Sequence, residues 1–328
     1  MIRFLAVTLF LSAFSFTAFA QKPLQVLDYF DLAVKGDNSF AALVSNDRRK
    51  IETNDTENGY LKMTGAFEGW IDVKLFRFSN GEPLLVVGVN TCGPACGSDL
   101  EAFTFEGKNA IRAAELLPWI EESELAEKQN RVRGKETELI GVLYQLPQKG
   151  TNIVVSADDT GDKLFDVEWT GKKFAVKRNV LDLYSLYPDS ALRSGGGGEI
   201  KIVKDDPKNG YLKLKNDESV FDVGLFRDKD GEPLLVYTEN RCNGEICKTL
   251  DFEAIRFDGI LFSNATRDVL PSAGEFSKRG ASHPMSENAG GDLIIVPEKG
   301  TSIKIIPARK SSKPVILIWN RERFTFSK

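Results

Sequence analysis

Histidine is almost absent from this chain: His283 is the only one in 328 residues, beside four cysteines and three methionines. A Ser-His-acid triad could take its base from nowhere else, and Cys-His catalysis and histidine-rich zinc sites lack their usual parts. No Gly-x-Ser-x-Gly elbow occurs, and no glycine-rich phosphate loop or dinucleotide fingerprint stands in a strand-to-helix setting. No catalytic set, metal site or cofactor is therefore assigned. An excess of charge of one sign is also missing. Lys and Arg number 43 against 47 Asp and Glu, a formal charge of −4, and no basic block is long enough to follow a phosphate backbone, so nucleic acid is not an expected partner.

Long apolar runs are confined to the N-terminus. Met1 and Arg3 precede an uncharged stretch, residues 4–19, that ends at Ala18-Phe19-Ala20 before Gln21. A charged start, an apolar centre and a small-x-small end make residues 1–20 a secretory signal peptide. The chain is expected to be exported, periplasmic or extracellular, with no membrane span after cleavage.

What the sequence has in abundance is itself. Asn58-Gly59-Tyr60-Leu61-Lys62 returns as Asn209-Gly210-Tyr211-Leu212-Lys213, and Asp72-Val73-Lys74-Leu75-Phe76-Arg77 as Asp222-Val223-Gly224-Leu225-Phe226-Arg227. Gly81-Glu82-Pro83-Leu84-Leu85-Val86 matches Gly231-Glu232-Pro233-Leu234-Leu235-Val236, Lys149-Gly150-Thr151 matches Lys299-Gly300-Thr301, and Trp169 and Phe174 match Trp319 and Phe324. Five ordered matches at one domain-sized offset mean tandem homologous modules rather than a solenoid of short repeats.

Within each copy the apolar period is two, as in Phe221, Val223 and Leu225, which marks half-buried strands. Ser79-Asn80-Gly81 and Asp230-Gly231 are hairpin turns, and Thr170-Gly171-Lys172 and Asn320-Arg321-Glu322 close a second hairpin near each copy's end. Two short helices are expected around residues 24–33 and 40–44, a charged one over 121–131, and another over 181–186. Residues 272–291, rich in Ser, Gly and Asn, read as a mobile loop. The fold class is α+β and β-rich, two tandem modules of mainly antiparallel sheet with a few short helices. The modules are placed at 21–178 and 199–328, the second duplicating about 50–178, with a linker at 179–198 that ends in Gly195-Gly196-Gly197-Gly198.

The cysteines fall at matching positions just beyond strands. Local pairing, Cys92 with Cys96 and Cys242 with Cys247, gives each module its own bridge in a compartment where disulfides persist. Such short loops remove only ~2 kcal/mol of unfolded-state entropy, so the bridges chiefly fix loop shape. The strand, disulfide loop and strand around Pro94 resemble the inhibitory loop of certain periplasmic lysozyme inhibitors. The likeness covers five residues and departs from that pattern in lacking its histidine, and Asn243-Gly244-Glu245-Ile246 shares none of it.

Carboxylates are the remaining chemical resource. Asp72 and Asp222, with Glu82 and Glu232, sit at matching positions, which favours a structural or surface role over an asymmetric active site, and Arg77 and Arg227 are expected to pair with nearby acids. Asp158-Asp159-Thr160-Gly161-Asp162 and Asp228-Lys229-Asp230-Gly231-Glu232 have a calcium loop's oxygen density without its spacing. Of Trp70, Trp119, Trp169 and Trp319, the matched pair Trp169 and Trp319 belongs to module cores, and the set includes a possible sugar-stacking platform. His283 reads as an exposed loop residue.

The expected function is an exported, non-enzymatic protein that binds another protein or an envelope component. Its contact elements are the disulfide loops (Gly93, Pro94 and Ala95; Asn243, Gly244 and Glu245) and the segment around His283. The alternatives are a carboxylate-dependent glycan hydrolase working between the modules and an envelope protein of structural role without a specific ligand.

Overall fold

The computed structural model describes residues 24–44, 50–64, 68–139, 141–158, 161–187, 199–244, 246–285, 291–309 and 312–327. The expected signal peptide, the run 195–198 and Glu245 lie outside the described residues.

The alternating and continuous apolar runs form four antiparallel sheets. The first is a six-stranded meander in chain order: β1 (Lys50–Asp55), β2 (Tyr60–Thr64), β3 (Gly69–Arg77), β4 (Pro83–Cys92), β5 (Cys96–Glu106) and β6 (Asn109–Arg112). β7 (Val142–Gln145), β8 (Asn152–Ala157), β9 (Lys163–Trp169) and β10 (Phe174–Val176) make a four-stranded meander. The same arrangement follows again. β11 (Lys201–Asp206), β12 (Tyr211–Lys215), β13 (Ser219–Arg227), β14 (Pro233–Asn243), β15 (Ile246–Phe257) and β16 (Phe262–Asn264) form six strands. β17 (Leu293–Ile295), β18 (Ser302–Ile306), β19 (Val315–Trp319) and β20 (Phe324–Phe326) form four. The hairpins expected at 79–81, 170–172, 230–231 and 320–322 all form, joining β3 to β4, β9 to β10, β13 to β14 and β19 to β20.

Each six-stranded sheet is buried on both faces, so β4 carries the unbroken apolar run Leu84-Leu85-Val86-Val87 instead of an alternation. On one face Phe76, Leu84, Val86 and Ala102 pack against Ile153, Val155, Val167 and Trp169 of the four-stranded sheet. On the other, Leu61, Ile71, Val73, Val87 and Phe103 pack beneath α1 (Val26–Gly36) and α2 (Asn38–Leu43), with Phe30 and Phe40 as the largest side chains. Each such side chain contributes about 1.5–3 kcal/mol on leaving water. The charged helix is α3 (Glu122–Arg133), ending on the left-handed Gly134.

The helix expected in the linker is α4 (Val180–Leu186), and it is no spacer. Val180 and Leu183 are fully buried against Leu212, Phe221, Val223 and Leu235 of the second six-stranded sheet, the relation that α1 has to the first. The two helices also open alike, Val26-Leu27-Asp28 and Val180-Leu181-Asp182. In both, the Asp carboxylate accepts the N–H three residues earlier, from Gln25 at 2.8 Å and Asn179 at 2.9 Å. Within the stretch expected as a loop, residues 273–277 are helical instead. Ser272 caps α6 (Ala273–Ser277), which follows the short α5 (Thr266–Val269), and Phe276 is wholly buried in the core between the second pair of sheets.

Candidate functional site

The disulfides close the tips of two long hairpins. Cys92 faces Cys96 across β4 and β5, and Cys242 faces Cys247 across β14 and β15, with Cα atoms 4.0 Å apart in each pair. The tips differ in surroundings. The first leans on the four-stranded sheet: the Cys96 N–H donates to Asp158 at 2.5 Å, and a Cβ on Gly141 would lie 2.1 Å from the Cys96 carbonyl oxygen. Gly93 and Pro94 remain exposed and Ala95 is half-buried. The second tip projects, with Asn243 and Gly244 exposed and Ile246 79% exposed. His283 is not an exposed loop residue. Its ring is half-buried edge-on to Phe276, Nε2 lies 3.2 Å from the Pro271 carbonyl and Nδ1 accepts from the Met285 N–H. Burial pulls its pKa below the ordinary value.

Asp72 and Asp222 occupy matching buried positions, each inside a polar chain that spans two sheets. Tyr60 Oη donates to Asp72 at 2.6 Å, Asn90 Nδ2 also reaches Asp72, Ser98 Oγ donates to Asn90, and the Tyr144 N–H of β7 donates to Ser98 at 3.0 Å. In the second copy the chain runs Tyr211, Asp222, Asn240, Thr249 and the Ile294 N–H of β17. Trp70 Nε1 adds a bond to Asp72 at 2.7 Å, yet burial outweighs these donors and raises the Asp72 pKa. Burial and the neighbouring Asp72 push the Tyr60 hydroxyl well above its ordinary value. The links from Tyr60 to Ser98 run strand to strand within the six-stranded sheet, and the bond from Tyr144, like that from Ile294 in the second copy, crosses to the four-stranded sheet and ties the two together.

The expected pairing of Arg77 and Arg227 with acids is replaced by capping. Each guanidinium donates to the carbonyl of its own hairpin turn, Gly81 or Gly231, at 3.0 Å. Trp169 and Trp319 are core residues whose Nε1 atoms donate to the Arg77 and Arg227 carbonyls at 2.7 and 2.8 Å. Asp228 Oδ1 accepts the N–H groups of Asp230 and Glu232, and its Oδ2 lies 3.6 Å from Arg256, so one oxygen serves the turn and the other faces a cation.

A large concavity lies elsewhere, a cleft of about 1180 Å³ between the two six-plus-four arrangements. One wall is the continuous stretch 173–179, with the turn 114–119 beside it. The other is made of turns at 207–210, 230–233 and 257–260. Trp119, 51% exposed, and Ile260, 63% exposed, give it an apolar rim.

Ion pairs brace the first wall and join it to the second. Arg178 grips Glu124 of α3 through two bonds of 2.6 and 2.9 Å, with both side chains at most 5% exposed. Its guanidinium also donates to the Trp119 carbonyl and lies over Phe257. Asp182 of α4 receives Lys128 at 2.8 Å and Arg131 at 2.6 Å, both from α3. Arg227 donates to the Arg178 carbonyl at 2.9 Å, and Lys173 meets Glu232 at 2.7 Å across the cleft.

No protein-family model matches the chain, and neither curated proteins nor solved structures give a match.

Of the residues singled out from sequence, the structure joins the four cysteines in pairs and places Asp72 and Asp222 in the buried chains, away from the cleft. Arg227 and Glu232 line the cleft, and the tip residues and His283 do not. Sequence reasoning overlooked Glu124, Arg178 and Asp182, which build it. One signal was available: the Val-Leu-Asp opening of α4 repeats that of α1 and puts Asp182 inside a repeated element.

Proposed function

We propose that this is an exported, non-catalytic binding protein whose ligand occupies the cleft between its two β-rich parts. The observation that carries this reading is the ionic lock of Glu124, Arg178 and Asp182, which holds two walls around a large preformed concavity with an exposed tryptophan at its rim. The chain is read as two tandem modules meeting near residue 178, each a helix, a six-stranded sheet and a four-stranded sheet. The projecting second tip, with Ile246 and Gly244, is a secondary contact, and the first tip serves mainly to brace its own module. The hydrolase alternative draws nothing from Asp72 and Asp222, which lie in hydrogen-bonded chains outside the cleft, and would have to use the carboxylates that line it, Glu115, Glu168, Asp230, Glu232 and Asp258.

The test is capture from envelope and secreted fractions of the source organism by immobilised mature chain, with Trp119→Ala, Ile260→Asp and Ile246→Asp compared. A saturable partner lost with the two cleft variants and kept by Ile246→Asp supports the cleft. Loss confined to Ile246→Asp, or turnover of a glycan panel by the wild type, overturns it.

A further inference from the structure

The cleft wall at 173–179 is the outer edge of β10, the terminal strand of its sheet, which no described strand pairs. Its hydrogen-bond phase follows from its neighbours. The Thr170 N–H donates to the Lys173 carbonyl and the Lys177 N–H to the Asp166 carbonyl, so Lys173, Ala175 and Lys177 face β9. Phe174 and Val176, between them, turn their backbone groups outward. The Val176 carbonyl is taken by the Arg178 N–H at 3.0 Å, which leaves the Phe174 N–H and C=O and the Val176 N–H along the cleft. The Phe174 side chain is buried in the sheet core, so it is this residue's backbone edge that the cleft can use.

Charge argues against a polyion. Basic and acidic side chains line the cleft in equal number, and Lys173, Lys177 and Arg178 are already paired with Glu232, Glu168 and Glu124. The volume exceeds that of ordinary small-molecule sites, about 300–1,000 Å³, which suits a longer chain. Backbone donors and an acceptor in strand phase, beside exposed Trp119 and Ile260, match the needs of an added strand.

We infer that the cleft receives an extended, uncharged polypeptide segment of a partner protein, which pairs with β10 as a fifth strand and lays alternate side chains against Trp119 and Ile260. This rests on reading the cleft as the binding site.

The test is fluorescence titration of the full mature chain with a labelled, capped heptapeptide alternating threonine and valine, against an uncharged hexasaccharide. Val176→Pro removes the outward N–H without touching a bond to β9, whereas Val176→Ala keeps it. The expected result is peptide binding by wild type and Val176→Ala, and binding weaker by about tenfold or more in Val176→Pro. N-methylation of alternate amides in the peptide should weaken binding similarly, a readout that leaves the protein unaltered. Equal binding by Val176→Pro and of the methylated peptide overturns the inference. Saccharide binding that needs Trp119, with no peptide binding, overturns it and leaves the cleft reading standing. Binding of neither probe overturns both.

Discussion

At the scale of single residues, the two polar chains decide how the sheets sit on one another. Asp72 is held in its site by Tyr60 and Trp70, but burial raises its pKa above the ordinary 3.8. The native state therefore keeps a proton that the unfolded chain releases near 3.8. The stability this group contributes is complete below that value and is lost as pH rises through the higher folded value. Asp72→Asn should remove the dependence. Urea midpoints of the wild type should fall relative to the variant across that acid window, and parallel curves would contradict the assignment. Ser98→Ala should cost about 1–3 kcal/mol, because the Tyr144 N–H and Asn90 lose their shared hydroxyl. Thr249→Ser keeps the hydroxyl and should cost less than Thr249→Ala, as denaturant melts can compare. The chemistry of these chains was half legible in the sequence. Tyr60 and Asp72 both belong to the repeated words, as do Tyr211 and Asp222. What sequence order does not display is the register that brings Asn90 to Asp72 and the packing that brings Tyr144 of β7 to Ser98.

At the scale of elements, strand pairing follows closely from the alternation and the turn residues, and every hairpin that the turns announce is formed. Helices were less legible. α4 stands beside a glycine-rich run and reads as a linker, although its packing is that of α1. Residues 273–277 carry too few apolar positions to announce a helix, yet Phe276 alone anchors them. The buried pair between α3 and Arg178, two residues before α4, is the strongest element-scale commitment. Glu124→Ala leaves the Arg178 charge buried and unpaired, and should destabilise by about 3–5 kcal/mol in thermal or urea unfolding. A Glu124→Leu, Arg178→Leu double variant should recover much of that loss. The half-exposed Lys173 and Glu232 pair should be worth under about 1 kcal/mol. Gly141→Ala drives a Cβ into the Cys96 carbonyl and should destabilise by roughly 1–3 kcal/mol through displacement of the first tip.

At the scale of the whole molecule, the repeat that the sequence displays so openly produces a feature it conceals. The cleft belongs to neither copy alone. It arises where α3, an element with no counterpart of its length among the described residues of the second copy, docks through Lys128 and Arg131 onto Asp182 of α4. Trp119 and residues 173–179 look ordinary along the chain and gain their role only from that docking. The same lock should make unfolding cooperative. Calorimetry should record one transition for the wild type and two for Asp182→Ala, whereas two in the wild type would mean the walls are independent. The most direct measurement is amide hydrogen exchange on residues 21–328 with and without the polypeptide proposed to occupy the cleft. Protection gathered at 173–179, 207–210 and 257–260 is the expected result. Protection confined to the disulfide tips at 93–95 and 243–250, with the cleft unchanged, would contradict it.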